Sequence, residues 1–429
     1  MTIGNSQRHS HYRGTFWTLA DQAAVSLGAF AINVQLARQL SPEDYGTFAL
    51  LLGGYFLIQH VNSSLIYYPL MIQLAGGREK RPADLVVGSA ILTGGCTLIL
   101  AAVLAVCLSV FGRQDIALAG GCYVWFWQIQ DVHRRALLAE FQHGIAAISD
   151  AITYLGGAAA IGVLAAFGNL SLVTALLAMS GACAVAVAVQ AVQRYRTMPA
   201  GIDLRLRSVE FWHFGKWAFV NGLILTLGVQ IFPWSLAIFH GAAAAAGFQA
   251  VLNLANLANP INFGLCNVIL PAAARALQSG GVHEAWRSAR RYIMIGVALT
   301  ASYAIPLLCV PWLALQLLYG ASSVYADLTT ELSIVVVAVT VNAIGDMVYT
   351  FINGVKGNKL ILGINAWGLA LTVVAVPLAA SYGIEGCALL LAASRIFRLV
   401  ASLHLVGRML SSDDNSAWTG PVQVNSEGR

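Results

Sequence analysis

The chain has 429 residues, of which 58% are hydrophobic and only 10% are charged, whereas soluble domains carry about 25% charged residues. With a mean hydropathy of +0.72, the composition excludes soluble globular, disordered, collagen-like and disulfide-scaffold proteins, because a soluble interior cannot hide so much apolar side chain. The net charge of +5 comes without a compact basic domain, so it gives no support to nucleic acid as a partner.

Twelve apolar runs follow one another along the chain. Each is close to the roughly 20 residues that a helix needs to cross the hydrocarbon core, and none shows the strand-length alternation of a membrane β-barrel. The sequence therefore predicts an all-α polytopic membrane protein with about 12 transmembrane helices. The predicted spans are residues 15–37, 46–72, 85–111, 116–138, 145–167, 171–192, 212–239, 246–270, 291–318, 332–352, 360–380 and 386–407.

The positive charges lie almost entirely on one side when the loops between these spans are assigned to alternate sides. Of the 24 Lys and Arg residues, only Arg38 and Arg113 fall on the other side. A miscounted span would invert every later loop, so the bias favours twelve spans with both termini in the cytoplasm.

A polar stretch after the sixth span divides the chain into two sets of six spans. Shifted by 200 residues, the sequence matches itself at Trp17 and Trp217, among other positions. The repeat predicts two six-helix lobes related by pseudo-twofold symmetry about the membrane normal, a plan in which transporters bind substrate between the lobes. Single-chain channels can also arise by duplication, so the repeat favours transport in general rather than one mechanism. The predicted parts are a cytoplasmic tail (1–14), an N-lobe (15–192), a cytoplasmic linker (193–210), a C-lobe (211–408) and a polar cytoplasmic tail (409–429).

Polar side chains interrupt the second and eighth spans near their middles. The repeat aligns Gln59 with Asn259 and Asn62 with Asn262, which places amides at equivalent depths in both halves. Two interpretations stay open: these residues line a cavity, or they hydrogen-bond between packed helices. His60 has no second ligand at metal-binding spacing, so it is a candidate pH-sensitive cavity residue rather than a metal ligand.

The twelfth span carries Arg395 and Arg398 near its centre, three residues apart on one helix face. They lie about 12 to 15 Å from either end, where snorkelling to the interface is strained, so we favour a water-filled cavity. Two guanidinium groups suit a diphosphate because each can donate paired hydrogen bonds. The alternative is a salt bridge to Asp346 or Asp21.

Carboxylates in the spans provide candidates for ion coupling. Asp131 precedes Arg134 and Arg135 by three and four residues at the cytoplasmic end of the fourth span, where the arginines also fit the role of positive-inside anchors. Asp131 and Asp346 lie at similar depths in the fourth and tenth spans, and with Asp21 they are candidate proton or sodium sites. No GxxxxGK(S/T) or HExxH motif is present, so we expect no catalytic residue, metal or cofactor.

Residues 16–50, FWTLADQAAVSLGAFAINVQLARQLSPEDYGTFAL, resemble the first-span signature of the multidrug/oligosaccharidyl-lipid/polysaccharide (MOP) exporter superfamily. In that family an LAR-x-L-x-P-x-x-Y-G-x-F turn joins the first two spans. Residues 131–150, DVHRRALLAEFQHGIAAISD, resemble the Arg-Arg-Ala stretch of its bacterial polysaccharide and O-antigen flippase branch. The resemblance implies a MATE-like, V-shaped pair of lobes in the bacterial cytoplasmic (inner) membrane, which work by alternating access.

The resemblance also implies a cargo. It predicts a flippase that moves a polyprenyl-diphosphate-linked oligosaccharide to the outer leaflet for exopolysaccharide, O-antigen (lipopolysaccharide) or capsule biosynthesis. Its partners would be the lipid-linked oligosaccharide, membrane lipids and a polysaccharide polymerase or export complex. Arg395 and Arg398 fit the cationic cavity of such flippases, with Arg134 and Arg135 at its cytoplasmic mouth, although the sixth span has no matching charge.

Two other functions stay open. A MATE-type multidrug or cation antiporter of the same superfamily would require carboxylates at mid-depth, because its cargo is cationic. A membrane-embedded glycosyl- or acyltransferase would require a closed catalytic pocket at Asp131 or His133.

Overall fold

The computed structural model of the chain describes residues 3–76, 82–194, 204–356 and 359–411. Within these ranges all the regular secondary structure is helical. The helices are α1 (Ile3–Gln39), α2 (Pro42–Ala75), α3 (Pro82–Val110), α4 (Ala117–Ala139), α5 (His143–Ala166), α6 (Leu172–Arg194), α7 (Leu204–His240), α8 (242–279), α9 (282–309), α10 (Pro311–Tyr319), α11 (Thr329–Lys356), α12 (Lys359–Ser381) and α13 (Gly383–Ser411).

The helices follow the predicted spans in order, so the prediction of an all-α polytopic membrane fold is confirmed. Helices α1 to α9 match the first nine predicted spans, and α11 to α13 match the last three. Within the described residues, nine helical segments are long and apolar enough to cross a membrane, and one of them, Ala242–Cys309, contains both α8 and α9. Helix α4 falls outside this set, and it carries Asp131, Arg134 and Arg135.

The boundaries around the eighth and ninth predicted spans are wrong. The polar residues 271–290 form helix rather than a loop, and the helix breaks only at Gly280 and Gly281. Gly281 has φ +69°, a conformation that a side chain disfavours and glycine accepts. The ninth span was also predicted too long: Val310 leaves helical geometry at φ −136° and ψ 57°, because proline at position 311 disfavours helix at the preceding residue.

The chain groups into two compact units. Unit 1 comprises Met1–Leu257, Trp312–Glu331 and Val376–Cys387, and unit 2 comprises Ala258–Pro311, Leu332–Ala375 and Ala388–Arg429. The division into two lobes of six spans stays a prediction. Helix α1 begins at Ile3, inside the predicted tail 1–14, whereas residues 195–203 of the predicted linker and residues 412–429 of the predicted C-terminal tail lie outside the described residues.

Each unit has an apolar core at helix crossings. A core of unit 1 joins α2, α3, α4 and α7, and its buried residues are Ile66, Tyr67, Leu70, Leu85, Val86, Val132, Ala136 and Phe211. A core of unit 2 joins α8, α9, α11 and α13, and its buried residues are Ile269, Ala273, Ala285, Ala289, Ile293, Met347, Val348, Phe351, Ile352, Val355, Val406 and Met409. These cores hold in place the helices that carry the polar residues described below.

Irregular helical turns adjoin the polar residues. A π-helical turn follows Asn62 in α2, at Ser63–Tyr67, and another follows Asp150 in α5, at Ala151–Gly156. A 3₁₀ turn, Asn256–Ala258, precedes Asn259 in α8. Such turns inside α-helices are frequent at functional sites, so the polar residues beside them are candidate site residues.

The turn between α1 and α2 explains the residues of the exporter-like motif. The Oγ of Ser41 accepts a hydrogen bond from the Asp44 N–H at 3.1 Å and caps α2, with Pro42 in the first turn. A Cβ atom at Gly46 would lie 1.8 Å from the carbonyl oxygen of Ala242 in α8. Only glycine allows this approach, so this part of the motif serves packing in unit 1.

Arg113, one of the two arginines outside the predicted cytoplasmic side, joins the same turn. Its guanidinium donates to Asp44 Oδ1 and to Thr47 Oγ1, each at 2.9 Å, and pairs with Asp115 at 3.3 Å. Burial alone would lower the pKa of Arg113, but the carboxylates of Asp115 and Asp44 outweigh it and raise that pKa above its ordinary value. Local ion pairs therefore account for this exception to the charge bias.

Candidate functional site

The first group of charged residues, which we call the aspartate cluster, lies in unit 1 and consists of Asp21, Asp131, Arg134, Arg135 and Asp150. Arg134 is at its centre. Its Nη2 lies 2.7 Å from Asp21 Oδ2, its Nη1 lies 3.7 Å from Asp131 Oδ1, and its Nε pairs with Asp150 Oδ2. The cluster thus joins α1, α4 and α5. Sequence reasoning did not single out Asp150, although an aspartate inside an apolar helix was the available signal.

The aspartate cluster has more carboxylates than guanidinium groups. Asp150 is fully buried and Arg134 is 12% exposed, whereas Arg135, which pairs with Asp131 at 3.4 Å, is 32% exposed. Each terminal nitrogen of Arg134, and its Nε, faces a carboxylate, so an external anion would have to displace these partners. Of the two arginines placed at the cytoplasmic mouth from sequence, Arg135 is the more accessible.

A chain of amides connects α2 to the aspartate cluster. Gln59 donates to Asp131 Oδ2 at 2.6 Å and accepts from Gln128 Nε2 at 2.6 Å. Asn62 donates to Gln128 Oε1 and to Thr97 Oγ1, each at 2.9 Å. Asn62 has no exposed surface. In this structure Gln59 and Asn62 therefore make hydrogen bonds between packed helices.

His60 lies where α2 meets α7 within unit 1. Its Nε2 is 3.0 Å from the carbonyl oxygen of Phe219 and 3.1 Å from Ser64 Oγ, and its ring stacks on the Phe219 ring. A Cβ atom at Gly222 would lie 1.8 Å from the His60 ring. The imidazole thus fills the space against α7, and its pH-sensitive role stays a prediction.

The second group, which we call the arginine cluster, lies in unit 2 and consists of Arg395, Arg398, Asp346, Asn342 and Asn262. Arg398 Nη2 donates to Asp346 Oδ1 at 2.9 Å, and Nη1 donates to Asn342 Oδ1 at 3.4 Å. The Nε of Arg398 is buried and has no hydrogen-bond partner among the residues that the structure describes. Of the two salt bridges considered from sequence, the one with Asp346 forms, while Asp21 pairs with Arg134.

Asp346 is held by two amides as well as by Arg398. Its Oδ2 accepts from Asn342 Nδ2 at 2.8 Å and from Asn262 Nδ2 at 3.4 Å. The guanidinium of Arg398 also lies over the Tyr349 ring, 5.3 Å from its centroid, a cation–π contact. Asn342 and Tyr349 were not found from sequence, although with Asp346 they recur at positions i, i+4 and i+7 on one face of α11.

Arg395 lies one turn before Arg398 on α13 and is half-buried. Among the described residues no carboxylate lies within ion-pair distance of it. The arginine cluster therefore has two guanidinium groups and one carboxylate, which leaves one positive charge uncompensated. Asn259, the remaining predicted residue, is half-buried and follows the 3₁₀ turn of α8.

No metal site accompanies these clusters: within the part of the chain that the structure describes, no group of three or more His, Cys, Asp or Glu side chains is placed to hold a metal ion. A cavity of about 480 Å³ does lie between α8 and α9 of unit 2, with Arg275 and Tyr292 in its lining. None of the predicted site residues lines it.

The fold is shared with solved transporter structures. An inward-facing multidrug-resistance MATE transporter of the MOP superfamily matches with TM-score 0.74 and 14% identity over 91% of this chain and 96% of that one. The lipid II flippase MurJ in an inward closed conformation matches with TM-score 0.72 and 11% identity over 92% and 87%. A mutant of the MATE transporter VcmN from Vibrio cholerae matches with TM-score 0.62 and 17% identity over 96% and 99%.

Sequence comparison adds nothing to this likeness. No protein-family model matches the chain, and no curated protein matches it significantly. At these low identities the structural likeness shows the fold alone: the chain is a multi-pass helical membrane protein with the fold common to MATE transporters and MurJ.

Proposed function

We propose that the protein is a MOP-type exporter that flips a polyprenyl-diphosphate-linked oligosaccharide across the bacterial cytoplasmic membrane by alternating access. The observation that carries the proposal is the arginine cluster, in which, among the described residues, Arg395 has no carboxylate partner and Arg398 has one. The saccharide would serve exopolysaccharide, O-antigen or capsule biosynthesis, with a polymerase or export complex as a partner. The fold shared with a lipid II flippase supports a lipid-linked cargo.

The chemistry of the two guanidinium groups favours a diphosphate. A charge inside a span costs about 3 kcal/mol on insertion scales, so an uncompensated Arg395 requires a compensating ligand or water. A diphosphate carries several acceptor oxygens and more than one negative charge, and guanidinium groups bind such anions through paired hydrogen bonds. A cationic drug would be repelled by the same residues.

The carboxylates of the spans are our candidates for ion coupling. Asp21 and Asp131 belong to the aspartate cluster, which has three carboxylates and two arginines, and Asp346 belongs to the arginine cluster. A proton or a sodium ion would compensate the excess negative charge in the aspartate cluster. We further propose that both termini lie in the cytoplasm.

A MATE-type multidrug or cation antiporter is the second candidate, because the aspartate cluster offers the carboxylates that a cationic cargo requires and two of the three matching structures described above are MATE transporters. A membrane-embedded transferase is the third. Turnover of lipid-linked sugars by the purified protein would be needed to support it.

The proposal is tested in cells by deletion and complementation. Deletion should cause a polyprenyl-diphosphate-linked saccharide to accumulate in the inner leaflet, because the carrier is made but not flipped. The double variant Arg395→Ala/Arg398→Ala should reach the membrane and fail to relieve the accumulation. Accumulation of a cationic compound instead, with normal lipid-linked intermediates, would favour the antiporter.

The proposed topology is tested by cysteine labelling in a cysteine-free variant. A cysteine at Phe167, which is 77% exposed between α5 and α6, should react in intact cells with a membrane-impermeant thiol reagent. A cysteine at Ser279, before the break between α8 and α9, should react only after the membrane is opened. The reverse pattern would invert the topology.

A further inference from the structure

Arg398 and Asp346 form a pair that is incomplete on the arginine side only. The carboxylate contacts a single guanidinium nitrogen, Nη2, while Nη1 makes a long contact with an amide. Nε is buried and has no hydrogen-bond partner in the described part of the chain. A buried donor without an acceptor is destabilising, and a guanidinium binds an anion best through two parallel hydrogen bonds. Arg398 is therefore able to gain hydrogen bonds from a second anion.

Asp346 keeps hydrogen bonds without Arg398. Its Oδ2 accepts from Asn342 and Asn262, so the two amides hold the carboxylate if the guanidinium moves away, and only Oδ1 loses its hydrogen bond. The pair is not fully covered by protein, since the Asp346 side chain is 28% exposed and that of Arg398 is 13% exposed.

We propose that Asp346 is an internal competitor of the substrate's anionic headgroup. Its carboxylate neutralises Arg398 in the empty protein, and the phosphate-bearing headgroup displaces it from that guanidinium on binding. The inference rests on the proposed function and adds a role to the same site. Asp346 is thus a positioning residue: it never contacts a reacting atom, and it acts through Arg398.

The competition has two opposite consequences for transport. Binding of the headgroup is weakened because Arg398 must first leave its carboxylate. Return of the empty exporter is made easier because Arg398 is not left as a bare charge when the cavity closes around it between the inward-open and outward-open states. Loss of the carboxylate should therefore tighten binding and slow transport together, whereas a residue with only a packing role would not change both in this way.

The test measures binding of farnesyl diphosphate to the full-length protein in lipid nanodiscs, with farnesol as the diphosphate-free control. Asp346→Asn should tighten farnesyl diphosphate binding about tenfold, the size expected from one charged hydrogen bond. Asp346→Ala also removes the carboxylate and should tighten binding in the same direction. Glu331→Gln removes a carboxylate from the first turn of the same helix α11 and should leave binding unchanged, as should farnesol in every variant.

The same variants in proteoliposomes complete the test. Asp346→Asn should lower both the KM and the kcat of translocation. Unchanged or weaker binding by Asp346→Asn or by Asp346→Ala would overturn the competition, and either variant alone decides it if the other does not fold. If the competition fails, Arg398→Ala shows whether the proposed function fails with it. Weaker farnesyl diphosphate binding by Arg398→Ala would leave the proposed function standing, and unchanged binding would overturn it as well.

Discussion

The aspartate cluster of unit 1 and the arginine cluster of unit 2 have opposite charge balance. In each, an amide donates to a carboxylate on another helix: Gln59 of α2 donates to Asp131 of α4, and Asn262 of α8 donates to Asp346 of α11. The cationic partner differs: Arg135 comes from the same helix as Asp131, whereas Arg398 comes from α13. Both clusters thus hold a carboxylate with an amide and an arginine, and they differ in the helix that supplies the arginine.

The two clusters differ in whether carboxylates compensate the arginine charge, and this difference indicates different roles. Arg134 is surrounded by three carboxylates and fixes α1, α4 and α5 together, so its charge is already compensated. Arg395 has no carboxylate partner among the described residues. An arginine compensated within the fold stabilises it, and an arginine left uncompensated is available to a ligand.

The largest expected effect is a difference in stability between variants of Arg134 and Arg395. Arg134→Ala should destabilise the protein by about 3 to 5 kcal/mol, because it leaves buried carboxylates without their cation. Arg395→Ala should change stability by less than about 1 kcal/mol and should impair export. Thermal unfolding in detergent and the amount of protein in the membrane measure the first effect. Equal losses of stability in both variants would remove the distinction.

A smaller difference in stability is expected when a glycine of each unit is replaced by alanine. Gly46→Ala should cost about 1 to 3 kcal/mol through overpacking, because its Cβ would lie 1.8 Å from the Ala242 carbonyl oxygen. Gly345→Ala in α11 is the matched control, since its nearest neighbour would be 4.0 Å away, and alanine there should be neutral or stabilising. The unfolding temperatures of the two variants check this, and an unaffected Gly46→Ala would mean that α2 and α8 are not packed this closely.

Hydropathy and charge bias were sufficient to predict the helices but not all of their ends. Length and apolar composition set the number of spans, because each crossing needs about 20 apolar residues. The helix through residues 271–290 was predicted as a loop because its residues are polar, yet polar helices extend readily outside the hydrocarbon. Its break at Gly280 and Gly281 depends on backbone conformation, which composition does not report.

The sequence could identify the site residues whose charge is costly inside a span. It could not identify those whose role depends on contacts between helices in the folded protein. Arg395 and Arg398 stood out because guanidinium groups are rare in the middle of a span, and Asp346 followed as a possible partner. Asp150 and Asn342 were missed since their importance comes from contacts between different helices. Asp150 pairs with Arg134 of α4, which also pairs with α1, and Asn342 accepts from Arg398 of α13. The roles of all these residues in transport stay proposals.

The most direct test of the central claim is translocation of a fluorescent polyprenyl-diphosphate-linked saccharide by the purified protein in liposomes. The wild-type protein should flip the lipid, and Arg395→Ala/Arg398→Ala should lower the rate at least about 100-fold, a loss of about 2.7 kcal/mol. Arg287→Ala/Arg290→Ala is the matched control, because it removes two arginines at the same spacing from the exposed side of α9 and should keep the wild-type rate. Translocation at the wild-type rate by the Arg395/Arg398 variant would contradict the account.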